Sequence, residues 1–162
     1  EKRVDAQERN KDMIKETLSK LLQFELTKLH ALFFVCSFGS GIDQQDISSI
    51  LEMNRLFKGA DKAFCILVTH SENMMKKDRD ELEKKIRSIP ELKEFFNSNG
   101  KVFFGGTLNC EDFDNGDYDS VQHNLYNILA LRTELYQHIF YSQECQVTDL
   151  ELFKAASVHR RL

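Results

Sequence analysis

The sequence predicts an α/β domain in which a layered parallel sheet is flanked by helices. Three observations predict it. Short, continuous apolar runs occur at Ala31–Ser37, Ala63–Thr69 and Lys101–Phe104; apolar residues at helical spacing lie between and around them; glycine or polar residues stand where one period gives way to the other. Runs of that length, rich in aromatic and β-branched residues, suit strands buried on both faces, and strands separated by helical crossovers pair in parallel.

Each element has its own signal. From about Ala6 to Thr27 an amphipathic helix is expected, with Ile14, Leu18, Leu21, Leu22, Leu26 and Leu29 at spacings of three and four. The first strand follows and leads into the loop Phe38–Ile42. Asp43 is a good N-cap, with Asp46 as its acidic partner, for a helix carrying Ile47, Ile50, Leu51, Leu56 and Phe57 and stopping near Gly59. After the second strand a charged helix with a narrow apolar seam spans Asp78–Ile86. Pro90 suits the first turn of another helix, which ends near Gly100. The third strand is closed by Gly105-Gly106. The acidic turn Glu111–Asp117 then leads to a long helix from about Ser120 to Tyr141, striped by Val121, Leu125, Ile128, Leu129, Leu135 and Ile139. A last helix is expected from Thr148 to about Arg160, capped by Thr148 with Glu151 in capping-box register.

Composition bounds the function. A chain of 162 residues suits one domain, and 41% hydrophobic content buries a core without disulfide or metal staples. A net charge of −4 with both signs interspersed argues against a nucleic-acid or anionic-membrane surface. The longest apolar stretch, Leu29–Phe38, is interrupted by His30 and is too short for a transmembrane segment. Cys36, Cys65, Cys110 and Cys145 form no C-x-x-C pair, and Cys36 and Cys65 read as small core residues. A reduced, intracellular and cytoplasmic setting is therefore expected. The chain opens with Glu1-Lys2-Arg3, so an excised or processed piece of a longer protein is expected.

Chemistry is expected at the carboxyl ends of the strands, where open α/β sheets bind ligands. Thr69-His70-Ser71-Glu72 directly follows the second apolar run. A carboxylate there accepts two hydrogen bonds from the N–H groups of guanine, which adenine does not offer. The bland alternative is an acid that caps the next helix. Gly105-Gly106 lets backbone approach a flat ligand closely, or simply makes a tight turn. Phe38-Gly-Ser-Gly-Ile42 is not a phosphate loop, because G-x-x-x-x-G-K-[ST] occurs nowhere in the chain. The histidines (His30, His70, His123, His138, His159) form no H-E-x-x-H, Ser40 is not in G-x-S-x-G, and Asp112, Asp114 and Asp117 lack the full calcium-loop pattern. No catalytic residue and no metal ligand is assigned.

The order of these segments resembles the GIMAP family, the immunity-associated, septin-like GTPases. The resemblance covers about Asn10 to Asp112. It is carried by Leu29-His30-Ala31-Leu-Phe-Phe-Val35, by Asp43-Gln-Gln-Asp46, and above all by Val68-Thr-His-Ser-Glu72. It implies a partial P-loop GTPase-like fold lacking the phosphate-loop strands. Residues 1–142 would run from the switch-region helix to the domain's last helix, and 143–162 would be a C-terminal helical extension. It implies guanine binding by Thr69, His70, Ser71 and Glu72 with Gly105 and Gly106 as the second base loop. Glu72 stands where Asp is common, and the second loop lacks the usual Asn. GTP or GDP is the implied ligand, with magnesium only if the missing half is supplied. The parent would be a GTPase; this chain lacks the elements that bind triphosphate and is expected not to be catalytic alone. A sheet without its first strands should expose an apolar edge and form a homo-oligomer or recruit the missing half. The competing readings are an α/β protein-interaction module that binds no nucleotide, and a small enzyme on a flavodoxin-like frame for which no nucleophile and base can be named.

Overall fold

The computed structural model describes residues 28–60, 63–108, 113–142 and 144–146, together with Met13 and Glu16, both of them helical. The rest of the expected helix Ala6–Thr27, the expected helix Thr148–Arg160, Cys110 and the start of the acidic turn lie outside the described residues. The described elements run in the order β1 (Lys28–Leu29), β2 (Leu32–Ser37), α1 (Gln44–Leu56), β3 (Phe64–Thr69), α2 (Lys76–Arg87), a 3₁₀ turn (Pro90–Leu92), α3 (Lys93–Asn97), β4 (Lys101–Phe104), α4 (Tyr118–Tyr141) and β5 (Cys145–Gln146).

The fold is mixed α/β. β2, β3 and β4 form a three-stranded parallel sheet in that order, with Leu32 opposite Phe64 and Cys65 opposite Lys101. Alternation along each strand divides the side chains between two faces. Phe34, Cys36, Phe64, Ile66, Val68, Val102 and Phe104 enter the main core with Ile47 and Ile50 of α1, Ile86 of α2, and Leu92 and Phe95. Phe95 meets Phe64 edge to face, with ring centroids 5.3 Å apart. Gly100 abuts that ring so closely that a Cβ would lie 2.5 Å from it, so a side chain there would force the buried ring to move. On the other face Phe33 meets Phe103, and His138 of α4 stacks on Phe103 at 4.7 Å.

The expected cap is present in full. The Asp43 carboxylate accepts the N–H groups of Gln45 and Asp46, and the Asp46 carboxylate accepts the N–H of Asp43. The Pro90 segment is less regular than its sequence suggests: a 3₁₀ turn precedes a helix of only five residues.

Two expectations need correction. Leu29 does not extend the first helix; it lies in β1, paired antiparallel with Cys145 of β5. Lys28 and His30 flank it and reach Glu144 at 2.6 and 3.4 Å, while Leu29 and Cys145 pack against the small apolar cluster of Leu56, Phe57, Ala60 and Ala63. The stripe on α4 is also shifted. Its buried residues are Val121, Asn124, Ile128 and Leu131, whereas Leu125 and Leu129 are exposed. Asn124, buried, and His138, with Cys65 and Lys101 beside it, complete the inward face.

His138 sits among fixed neighbours. The Lys101 ammonium has only donors to offer, so Nδ1 accepts from it at 3.4 Å; Nε2 then carries the proton and faces Cys65 Sγ at 3.3 Å. Desolvation first, and the Lys101 charge second, hold the imidazole below its ordinary value of 6.5. In the same contact the Cys65 thiol is pushed up to about 11 by burial. The unfolded chain therefore takes up the His138 proton first as pH falls. Stability should be fully present above pH 6.5 and decline below it. Urea unfolding at pH 7.5 and 5.5 should show this loss, and His138→Gln should make it smaller.

Candidate base-recognition site

Parallel pairing brings the ends of β2, β3 and β4 to one edge, and backbone bonds stitch them together. Phe38 N–H donates to Thr69 C=O at 2.9 Å, Gly105 N–H to Val68 C=O at 2.8 Å, and Ser71 N–H to Gly105 C=O at 3.0 Å. The six residues singled out from the sequence are thus contiguous in space, but their roles differ.

Thr69 and Ser71 face inward. The Thr69 hydroxyl donates to Cys36 C=O at 3.1 Å, tying the loop to β2. Ser71 is fully buried, and its hydroxyl donates to Val68 C=O at 3.1 Å. Between them His70 is exposed and adopts φ +58°, a left-handed conformation unusual for a non-glycine residue. Such a conformation costs on the order of 1–3 kcal/mol and persists where surrounding bonds over-determine it. Here the bonds of Thr69 and Ser71 do so.

Glu72 is the residue of the loop whose side chain is left unsatisfied. Its Oε2 is buried and has no hydrogen-bond partner, the one such side-chain atom among the described residues. A buried acceptor left unmatched costs about 1–3 kcal/mol, so it calls for an explanation. Helix capping does not supply it: the N-cap of α2 is Met75, and no side chain caps that helix. The carboxylate lies instead against Gly106. A Cβ on Gly106 would stand 2.5 Å from Glu72 Oε2, 2.8 Å from its Cβ and 2.9 Å from its backbone nitrogen. Gly106 is therefore glycine because Glu72 approaches it, and its φ is not in the left-handed region. Gly105 meets only Leu67 at ordinary contact distance.

Sequence reasoning missed two contributors. Asn127, one helical turn from His123 on α4, donates to the Glu72 backbone carbonyl at 3.2 Å and fixes the far side of the loop. Asp117 accepts Ser120 N–H at 3.1 Å and caps α4, and hydrogen bonding from the Ser120 side chain first, and from its backbone second, holds the carboxyl below the usual range. The acidic D-x-D spacing before a helical stripe was a legible signal for that cap; nothing local pointed to Asn127. Among the described residues no group of three His, Cys, Asp or Glu could hold a metal ion, and no helix is long and apolar enough to cross a membrane.

No protein-family model, no curated protein and no solved structure matches the chain.

Gly106→Ala tests the packing of the two loops. A backbone nitrogen at 2.9 Å cannot swing aside as a side chain can, so the loops must part. The variant should lose about 1–3 kcal/mol in urea unfolding, whereas Gly105→Ala should lose clearly less.

Proposed function

We propose that this chain carries the base-reading half of a guanine-nucleotide site, on a GIMAP-type GTPase frame. One observation carries the reading: one oxygen of the Glu72 carboxylate, Oε2, has no hydrogen-bond partner, lies against Gly106 and has no capping duty. An acceptor held in that way is complementary to a planar ligand edge with adjacent N–H donors, which guanine has and adenine lacks. Thr69 and Ser71 serve this site by fixing the loop, His70 borders it, and Gly105-Gly106 forms its opposite wall.

The phosphate side is absent from this sequence. No G-K-[ST] occurs to cradle phosphates or hold magnesium, and the described residues do not fit a metal ion. No hydrolytic step follows from the residues present. The parent protein would be the GTPase, and GTP, GDP and magnesium would bind with the half that this sequence does not include.

A second reading is favoured by a separate observation. α4 presents a row of exposed apolar residues: Tyr118, Leu125, Leu129, Tyr136 and Phe140. On that reading the domain is an interaction module, and the row meets a protein partner or a second copy.

Ligand-observed NMR separates the two. Without phosphate contacts, guanosine should bind at about millimolar strength, roughly −4 kcal/mol. It should be preferred over adenosine, and GTP and GDP should differ little from the nucleoside. Glu72→Gln, which turns an acceptor into a donor, should abolish the preference. Equal signals from guanosine and adenosine on the wild type would leave the interaction module standing. Magnesium-dependent GTP hydrolysis by the chain should not exceed background.

A further inference from the structure

A groove of about 470 Å³ opens beside the base loop, lined by Asn73, Asp119, Ser120, His123 and Asn124. Asn73 follows Glu72 directly, and the other four lie in the first two turns of α4. Spacings of one, three and four put those four on one side of the helix.

The hydrogen bonds define what the groove offers. Asn127 Nδ2 donates to the Glu72 carbonyl, which fixes the orientation of that amide. The same nitrogen lies 3.1 Å from His123 Nε2. Because Nδ2 only donates, Nε2 accepts and the ring proton sits on Nδ1. His123 therefore has an N–H donor to offer on its other side. Asp119 adds a carboxylate acceptor, Ser120 a hydroxyl and Asn73 an amide. Ser120 N–H is already taken by Asp117.

This set selects among ligand classes. It holds a carboxylate and neither Lys nor Arg, which disfavours a phosphate. A single carboxylate is too few for a calcium or magnesium ion, which takes several oxygen ligands. What fits is a neutral group with two neighbouring hydroxyls. One hydroxyl donates to Asp119 and the other accepts from His123, as an acidic residue binds ribose in dinucleotide sites.

We propose that the groove formed by Asn73 and the first two turns of α4 binds the cis-diol of a nucleoside's ribose, with Asp119 as acceptor and His123 Nδ1–H as donor. Base and sugar are then read by adjoining parts of one edge, joined through Asn127. The proposal rests on the Glu72 reading for the identity of the base, and on the groove alone for the sugar.

Saturation-transfer NMR titrations on the full 162-residue chain, with guanosine, 2′-deoxyguanosine, adenosine and 2′-deoxyadenosine, test it. On the wild type each ribonucleoside should bind about tenfold tighter than its deoxy counterpart, as expected for a hydrogen bond to a charged group. Asp119→Asn should remove that ratio and keep the guanine preference, while Glu72→Gln should do the reverse. His123→Gln provides an independent variant and should also lower the ratio; circular dichroism melts establish that each variant is folded. Equal affinity for ribo- and deoxynucleosides, or a ratio untouched by Asp119→Asn, overturns the diol site. A ribose preference without a guanine preference upholds the groove and removes the Glu72 reading. No binding of any nucleoside overturns both.

Discussion

β3 pairs in parallel on both sides, and this constraint decides where everything at the site stands. Three strands that run the same way must end at the same edge, and the backbone groups there need partners. They find them in one another: Phe38 with Thr69, Gly105 with Val68, Ser71 with Gly105. Ser71 is the tightest point, fully buried with its N–H and its hydroxyl both engaged. Two residues therefore have little freedom. His70 is forced to a positive φ, and Glu72 is held against Gly106 by its backbone as well as its side chain. The placement of the Glu72 backbone is thus a property of the sheet.

The two faces of that sheet are unequally covered. One is filled by α1, α2 and the Pro90–Asn97 segment, and it holds most of the buried aromatic and branched residues. On the other, Val35 remains 57% exposed although it lies mid-strand. Among the described residues β2 pairs only with β3, so one of its edges is unpaired. The exposed apolar row of α4 adds to this asymmetry.

Much of the frame was legible because its signals are local. The apolar runs around Phe34, Ile66 and Phe103 mark the strands to within a residue or so, and Asp43 with Asp46 marks the start of α1. What was illegible depends on distant residues. β1 and β5 are two residues each and lie more than a hundred residues apart, so no period betrays them. The apolar pattern of α4 fits two faces, and only contact with Phe103 and Cys65 shows that His138 is on the inner one. At the site, the T-x-x-E sequence allowed both a cap and a ligand acceptor. The cap is set aside by Met75 being the N-cap, and Glu72 lies against Gly106; neither fact is written in the loop itself.

The strand order also bears on how the molecule assembles. β2, β3 and β4 are adjacent in space in the order in which they occur in the chain. Each strand can therefore be added to a finished edge as it leaves the ribosome, with its crossover helix already made, and no earlier pairing has to open to admit it. The β1–β5 ribbon is the opposite case: it joins Lys28 to Gln146 and cannot form until nearly all of the domain exists. Its closure therefore depends on chain made at both ends of the domain, on the Glu144 contacts and on the packing of Leu29 and Cys145 against Leu56, Phe57, Ala60 and Ala63.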